Sequence, residues 1–392
     1  MEFQKSRAPS ALSRRIDPRS FTRNPRMGRC TTWVPIGLDM SKRAFLGLAV
    51  GLITMAIGNS TGHAYDVVQV QTERGNVPLY LPSDIQPGES IPLVVSLHGF
   101  TGNGPSHENY FNLRSQIDER RFMLCVPQGS RNSSGDRFWN ATDFCCDYEF
   151  QNPNDSGYLR DLIDSISDDR PVDEESIHVV GHSNGGFMAY RMACDHADIV
   201  ASIASLAGAT YASSNACVPS EPVHVLQIHG TSDDTIEYGG RCIIPFIFCY
   251  PGALDSVSLW SQYNQCSNTS RSLENLDLVG NIGGAETARL VFDEGCADYG
   301  SAELWTIEGG SHGPSFNGNY ARELVGWLLE HRRPRPKTCV GDIDRNNIID
   351  GADLSGLLSV WGSDSLEADF DEDGIVGGGD LSIVLAAWGR CP

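Results

Sequence analysis

Gly181-His182-Ser183-Asn184-Gly185 sets a serine between two glycines, after the β-branched run Ser176-Ile177-His178-Val179-Val180 and before the apolar, helix-like residues 186–195. A strand that turns tightly into a helix at a serine lifts its Oγ into a cleft. That hydroxyl attacks an ester only if an imidazole takes its proton, and the imidazole needs a carboxylate to fix its tautomer and stabilise its cation. Two later strand-like runs end in such groups. Residues 223–228 lead into His229-Gly230-Thr231-Ser232-Asp233, and residues 302–307 lead into Glu308-Gly309-Gly310-Ser311-His312.

Serine, acid and histidine in that chain order, each just past the carboxyl end of a predicted strand, match an α/β-hydrolase and predict an α/β fold with a mostly parallel sheet. Ser183 is the expected nucleophile, His312 the base and Asp233 the acid, with Asp234 its neighbouring competitor. The apolar strand 91–97 ends in His98-Gly99-Phe100-Thr101-Gly102, where this fold takes its second oxyanion donor. The backbone N–H groups of Asn184 and Phe100 are therefore the expected oxyanion hole. A serine that merely caps a helix, or a catalytically silent binding module, is the competing reading. Three triad residue types in the right order argue against both.

The chain resembles secreted carbohydrate esterases of the feruloyl or acetylxylan type and the related polyhydroxybutyrate depolymerase-like esterases, from about Val67 to His331. The residues carrying the resemblance are His98-Gly99, Trp139-Asn140 before Cys145-Cys146, Ser183-Asn184-Gly185-Gly186 with Met188, and Arg191-Met192-Ala193-Cys194. His229-Gly230-Thr231 with Asp233, and Gly309-Gly310-Ser311-His312, complete the set. The resemblance implies an acyl-enzyme mechanism without a catalytic cofactor, and places His98, Trp139 and Tyr238 around the substrate. Trp139 is equally well read as a core residue. Family members often carry proline where Glu237 stands and Trp-Pro-Gly where this chain has Gly313-Pro314-Ser315. Those positions border the acyl pocket, so both an ester-decorated polysaccharide and a polyhydroxyalkanoate remain as substrates.

Export is expected from the N-terminus. Met40-Ser41-Lys42-Arg43, the apolar residues 44–58 and Gly62-His63-Ala64 follow the plan of a secretory signal peptide cleaved after Ala64, too short for a membrane anchor. Residues 1–39 are a basic extension, or lie upstream of a true start at Met40. A net charge of −21 without a basic cluster in the body of the chain excludes nucleic-acid partners. Of 12 cysteines, Cys30 falls in the leader and Cys125 in a buried strand, leaving ten for five disulfides in an oxidising compartment. Cys266 is expected to pair with Cys296, Cys242 with Cys249 and Cys339 with Cys391. Cys145, Cys146, Cys194 and Cys217 form the other two bridges in an arrangement left open.

The esterase domain is expected over residues 65–331, followed by a linker at 332–338 and a module at 339–392 containing two copies 27 residues apart. Asp342 matches Asp369, Asp353 matches Asp380, Leu354 matches Leu381 and Trp361 matches Trp388. Asp342, Asp344, Asn346, Asp350 and Asp353 stand at loop positions 1, 3, 5, 9 and 12. Asp369, Asp371, Asp373 and Asp380 stand at 1, 3, 5 and 12 of the second copy, and Ile348 and Ile375 offer position-7 carbonyls. This is the oxygen-ligand spacing of an EF-hand, with Asp in place of the bidentate Glu. The twin loops, each with a short helix, resemble a small all-α dockerin module. The resemblance implies two structural calcium ions and a cohesin-like anchoring partner. A solvated acidic tail is the alternative, disfavoured because it would leave the repeated Leu and Trp exposed.

Overall fold

The computed structural model describes residues 65–392 apart from 245–246, 298, 334–339, 345–347, 366, 372 and 391–392. The expected leader, signal segment, linker residues 334–338, ligand Asn346 and Cys339–Cys391 bridge therefore lie outside the described residues. The chain forms β1 (Asp66–Thr72), β2 (Gly75–Leu81), β3 (Ile91–Leu97), α1 (Gly104–Phe111), α2 (Ile117–Arg120), β4 (Met123–Cys125), β5 (Ser130–Arg131), β6 (Arg137–Phe138) and α3 (Asp155–Asp169). It continues with β7 (Val172–His182), α4 (Asn184–Asp195), β8 (Ser202–Leu206), β9 (His224–Gly230), β10 (Gly240–Ile244), β11 (Ile247–Pro251), α5 (Ala253–Tyr263), β12 (Arg271–Leu276), β13 (Thr287–Phe292), β14 (Ala302–Ile307) and α6 (Asn319–Glu330). The last segment holds β15 (Ile348–Ile349), α7 (Gly351–Ser359), α8 (Gly378–Ala386) and β16 (Gly389–Arg390).

The main sheet runs β1-β2-β4-β3-β7-β8-β9-β14-β13-β12. From β4 to β14 every neighbouring pair is parallel, while antiparallel strands close both edges. Parallel strands covered on both faces need apolar side chains in both directions. Accordingly Leu93, Val95 and Leu97 of β3 face one hydrophobic cluster with Phe187 of α4, Leu159 of α3 and Trp260 of α5. Val94 of β3 and Val180 of β7 face the other, with Phe111 of α1 and Leu324 of α6. Fully burying each such side chain contributes about 1.5–3 kcal/mol.

Because β3, β7, β9 and β14 point the same way, the segments leaving their carboxyl ends emerge along one edge of the sheet. These segments carry His98 to Gly102, Ser183, Asp233 and His312. Open α/β sheets bind ligands at that edge.

One sequence reading changes here, and one left open is filled in. Arg332 and Arg333, assigned to the linker on composition, are held to this domain: Arg332 pairs with Asp173 at 2.7 Å and Arg333 with Glu221 at 2.5 Å. Among the open cysteines, Cys145 bonds to its neighbour Cys146 and Cys194 to Cys217, beside the expected Cys242–Cys249 and Cys266–Cys296 pairs. Cys125 is a free buried thiol whose pKa burial pushes up. Among the described residues, no helix is long and apolar enough to cross a membrane.

The last segment has its own core of Ile349, Leu357, Ala368, Val376 and Val384. Ile349 with Val376, and Leu357 with Val384, are repeat mates 27 positions apart. The expectation that folding would bury the repeated tryptophans is corrected, since Trp361 and Trp388 are 47% and 49% exposed. Each stands two residues past the end of its short helix, outside the helical face that packs the core.

Candidate active site

Ser183 sits between β7 and α4 with φ +55° and ψ −120°, a left-handed backbone that a serine adopts only under constraint. The two flanking glycines are what make the turn possible. A Cβ on Gly181 would lie 2.2 Å from the Gly185 carbonyl oxygen, and one on Gly185 would lie 2.1 Å from the Leu97 carbonyl oxygen. The Ser183 amide donates to the Leu206 carbonyl at 2.8 Å, tying the turn to β8.

The acid and base meet across two loops. His312 Nδ1 lies 2.8 Å from Asp233 Oδ2, while the other Asp233 oxygen accepts the amides of Thr235 and Ile236 at 2.9 Å each. Asp234, the competing acid, is exposed and bonds the hydroxyl of Thr235. Burial works against charge on Asp233, but hydrogen bonds from His229 and His312 outweigh it and hold the carboxyl below the usual carboxylate range.

His229 belongs to a support network that reading the sequence missed. Tyr190 of α4 donates to Gln227 at 2.8 Å, Gln227 donates to His229 Nδ1 at 3.1 Å, and His229 Nε2 therefore carries the proton. That N–H faces the Ile236 carbonyl at 2.8 Å and Asp233 Oδ2 at 3.3 Å. The available signal was Gln227 and His229, two apart in a strand otherwise apolar after His224.

The base loop is tied to the nucleophile as well. His182 Nε2 donates to the His312 carbonyl at 2.8 Å, and the two rings stand 4.8 Å apart. Tyr110 of α1 donates to the Pro314 carbonyl at 3.0 Å and meets the His182 ring edge-on. Burial lowers the His182 pKa to about 4, so the ring works as a neutral donor at ordinary pH.

The loop after β3 runs against the nucleophile, since a Cβ on Gly99 would lie 3.4 Å from that of Ser183. Asn184, first residue of its helix, has an amide with no acceptor within the helix. Among the described residues no hydrogen-bond acceptor faces the Phe100 amide either. Two backbone donors at the two expected positions are thus free for a developing oxyanion. The Asn184 side chain clasps the backbone N–H and carbonyl of Trp139 at 2.7 and 2.9 Å, anchoring the Cys145–Cys146 loop to the elbow.

His98 and Trp139 are corrected as substrate contacts. His98 is fully buried, its Nε2 accepts from the Gly129 amide at 3.0 Å and its Nδ1 donates to the Gly99 carbonyl at 2.8 Å. Burial pulls its pKa down to about 4. Trp139 is also fully buried and donates to the His98 carbonyl at 3.0 Å. Both brace the oxyanion loop from beneath because their polar atoms are already consumed by backbone partners. Tyr238 is half-buried, bonds Thr306 at 2.8 Å and sets its ring against His229, which places it beside the acid loop.

In the C-terminal segment, ligand oxygens of Asp342, Asp344 and Asp353 lie within 4.8 Å of one another, as do those of Asp369, Asp371 and Asp373. Carboxylates packed this closely repel, and a bound cation would neutralise them together. Desolvation raises the Asp371 pKa, with the charges of Asp373, Asp380 and Asp369 adding to it. Asp353 and Asp380 also take backbone amides, at 2.8 Å from Asp350 and 2.7 Å from Gly377, and so close each loop onto its helix. Asp350 caps α7 through the Ala352 amide at 2.7 Å.

A strained serine, a carboxylate-bonded histidine and two free backbone donors at the carboxyl edge of a parallel sheet define the α/β-hydrolase class. The chain belongs to the esterase family: the family described as "Putative esterase" matches residues 70–294. It is similar to a putative esterase, NocK, of Nocardia uniformis subsp. tsuyamanensis, with 28% identity over 40% of this chain and 44% of that protein. Feruloyl esterase B of Piromyces equi is 23% identical over 59% of this chain and 41% of its own. The chain thus spans less than half the length of these curated relatives. An acetyl xylan esterase from Aspergillus awamori aligns with 67% of this chain and 99% of its own, at 15% identity and a TM-score of 0.46.

Proposed function

We propose that the chain is a secreted serine esterase that removes feruloyl or acetyl groups from polysaccharides. The observation that carries the reading is the 2.8 Å bond between His312 Nδ1 and Asp233 beside a strained Ser183. With Nδ1–H held by Asp233, His312 presents Nε2 as a base. Ser183 Oγ attacks the ester carbonyl and passes its proton to Nε2, and the oxyanion meets the amides of Asn184 and Phe100. His312 then protonates the leaving alkoxide, and a water that it deprotonates releases the acid from Ser183. The feruloyl esterase relative supports the acyl class.

Turnover of methyl ferulate, acetylated xylan and hydroxybutyrate oligomers tests the reading. Ser183→Ala and His312→Ala are each expected to lower kcat by roughly 10⁴-fold, with little further loss when combined, since triad members act as a unit. Asp233→Asn is expected to cost far more than Asp234→Asn. Near wild-type turnover by either single triad variant defeats the mechanism, and a preference for hydroxybutyrate oligomers replaces the substrate.

The C-terminal segment fits a dockerin-like module holding two structural calcium ions. Asp342, Asp344 and Asp353 with Asn346, Asp350 and the Ile348 carbonyl would hold one, and Asp369, Asp371, Asp373 and Asp380 with the Ile375 carbonyl the other. Calcium there neutralises the clustered acids and stiffens the loops. Leu358 with Leu385, and Trp361 with Trp388, form symmetry-related exposed apolar pairs that suit a cohesin-like anchoring protein.

A further inference from the structure

Residues 147–152 present two aromatic rings to solvent on an unusually well-tied loop. Tyr148 is 60% exposed and Phe150 72%. Phe150 has φ +55° and Asn152 φ +51°, and a left-handed backbone is an outlier for a phenylalanine. Asp147 holds this shape by accepting the amides of Gln151 at 3.0 Å and Asn152 at 2.6 Å. Glu149 accepts the Ser133 amide at 2.9 Å and the Gln151 side chain at 2.7 Å. Nothing in the core gains from Phe150, so both backbone strain and an exposed apolar ring persist for a surface purpose. The loop adjoins the candidate site, because the Tyr148 ring meets Phe100, the second oxyanion donor, edge-to-face at 5.6 Å.

We propose that Tyr148 and Phe150 form a stacking platform for pyranose rings of a neutral polysaccharide, holding the polymer at the rim while its ester enters the cleft. A pyranose has an apolar C–H face edged by hydroxyls, and it matches exposed rings bordered by the polar groups of Asp147, Glu149, Gln151 and Asn152. A polyester surface offers no hydroxyls to that border. The carboxylates of Asp147 and Glu149, within a Debye length of the rings, oppose an anionic polymer or membrane. The inference rests on the polysaccharide-ester reading and names the site that selects the polymer.

The test uses Tyr148→Ala and Phe150→Asn in the full chain, asparagine being a residue that accepts the left-handed backbone. The ratio of kcat/KM for acetylated xylan to that for p-nitrophenyl acetate is expected to fall about tenfold in the double variant, through KM for the polymer. Affinity electrophoresis in soluble xylan reads binding separately, with Ser183→Ala as the background: it is retarded, and the added double substitution abolishes the retardation. An unchanged ratio, or retardation that survives loss of both rings, overturns the platform. So does ring-dependent adsorption to poly(3-hydroxybutyrate) granules without retention by xylan. If the wild type hydrolyses none of these esters, the esterase reading fails while the xylan binding still decides the platform.

Discussion

His182 and Tyr110 hold the base loop by its carbonyls, and removing either bond should slow chemistry without weakening substrate binding. His182→Phe deletes the 2.8 Å bond to the His312 carbonyl but keeps a ring in the gap between Tyr110 and His312. A carbonyl left unpaired out of water costs about 1–3 kcal/mol, and the loop relieves this by shifting. A shift of the base of about 1 Å costs about 100-fold in rate. The expected result is a kcat lowered by about 10- to 100-fold, a KM within about twofold of wild type, and a stability loss of about 1–3 kcal/mol. Tyr110→Phe removes only the hydroxyl on the Pro314 carbonyl, two residues from the base, and should cost about 3- to 10-fold in kcat and about 1 kcal/mol. His182→Gln restores an N–H donor and should recover most of the rate. Steady-state hydrolysis of p-nitrophenyl acetate and urea unfolding measure these quantities. A His182→Phe enzyme with kcat within twofold of wild type, or a His182→Gln enzyme as slow as His182→Phe, would refute the positioning role.

Trp139→Ala should lose about 3–5 kcal/mol of stability while the preference between aromatic and acetyl esters stays constant, since the indole is buried; a changed preference without destabilisation would return Trp139 to the pocket. Burial lowers the pKa of His98 to about 4 and of His178 to about 3. Both lie below the unfolded value of about 6.5, so the unfolded chain binds more protons. Stability should therefore be whole above about pH 6.5 and decline as the pH falls toward 4, with a smaller decline in His178→Asn; a flat urea midpoint from pH 7 to 4.5 contradicts this. Calorimetry of the full chain should show about two bound calcium ions, and Asp353→Asn with Asp380→Asn should abolish both. Chelation should leave p-nitrophenyl acetate hydrolysis intact, and an absence of calcium binding at millimolar concentration removes the dockerin reading.

Ser183, Asp233 and His312 were legible in the chain because each stands a short, fixed step beyond a strand, and strands announce themselves by local apolar composition. The gathering of Asp342 with Asp344 and Asp353, and of Asp369 with Asp371 and Asp373, was legible for the same reason, being a pattern of near neighbours. His98 was misread as a substrate contact because its partner, the Gly129 amide, lies far along the chain and meets it only after β3 and β4 pair. Gln227 and His229 stood in plain view, yet their task exists only once Tyr190 and Asp233 converge on them. The bond between Cys145 and Cys146, the open position of Trp361 and Trp388, and the tie from His182 to His312 were decided the same way. Local sequence determines which groups can do chemistry, because residue type and strand period act over a few positions. Which groups support them is a matter of who becomes a neighbour when β3, β7, β9 and β14 lie side by side, and only the packed sheet sets that.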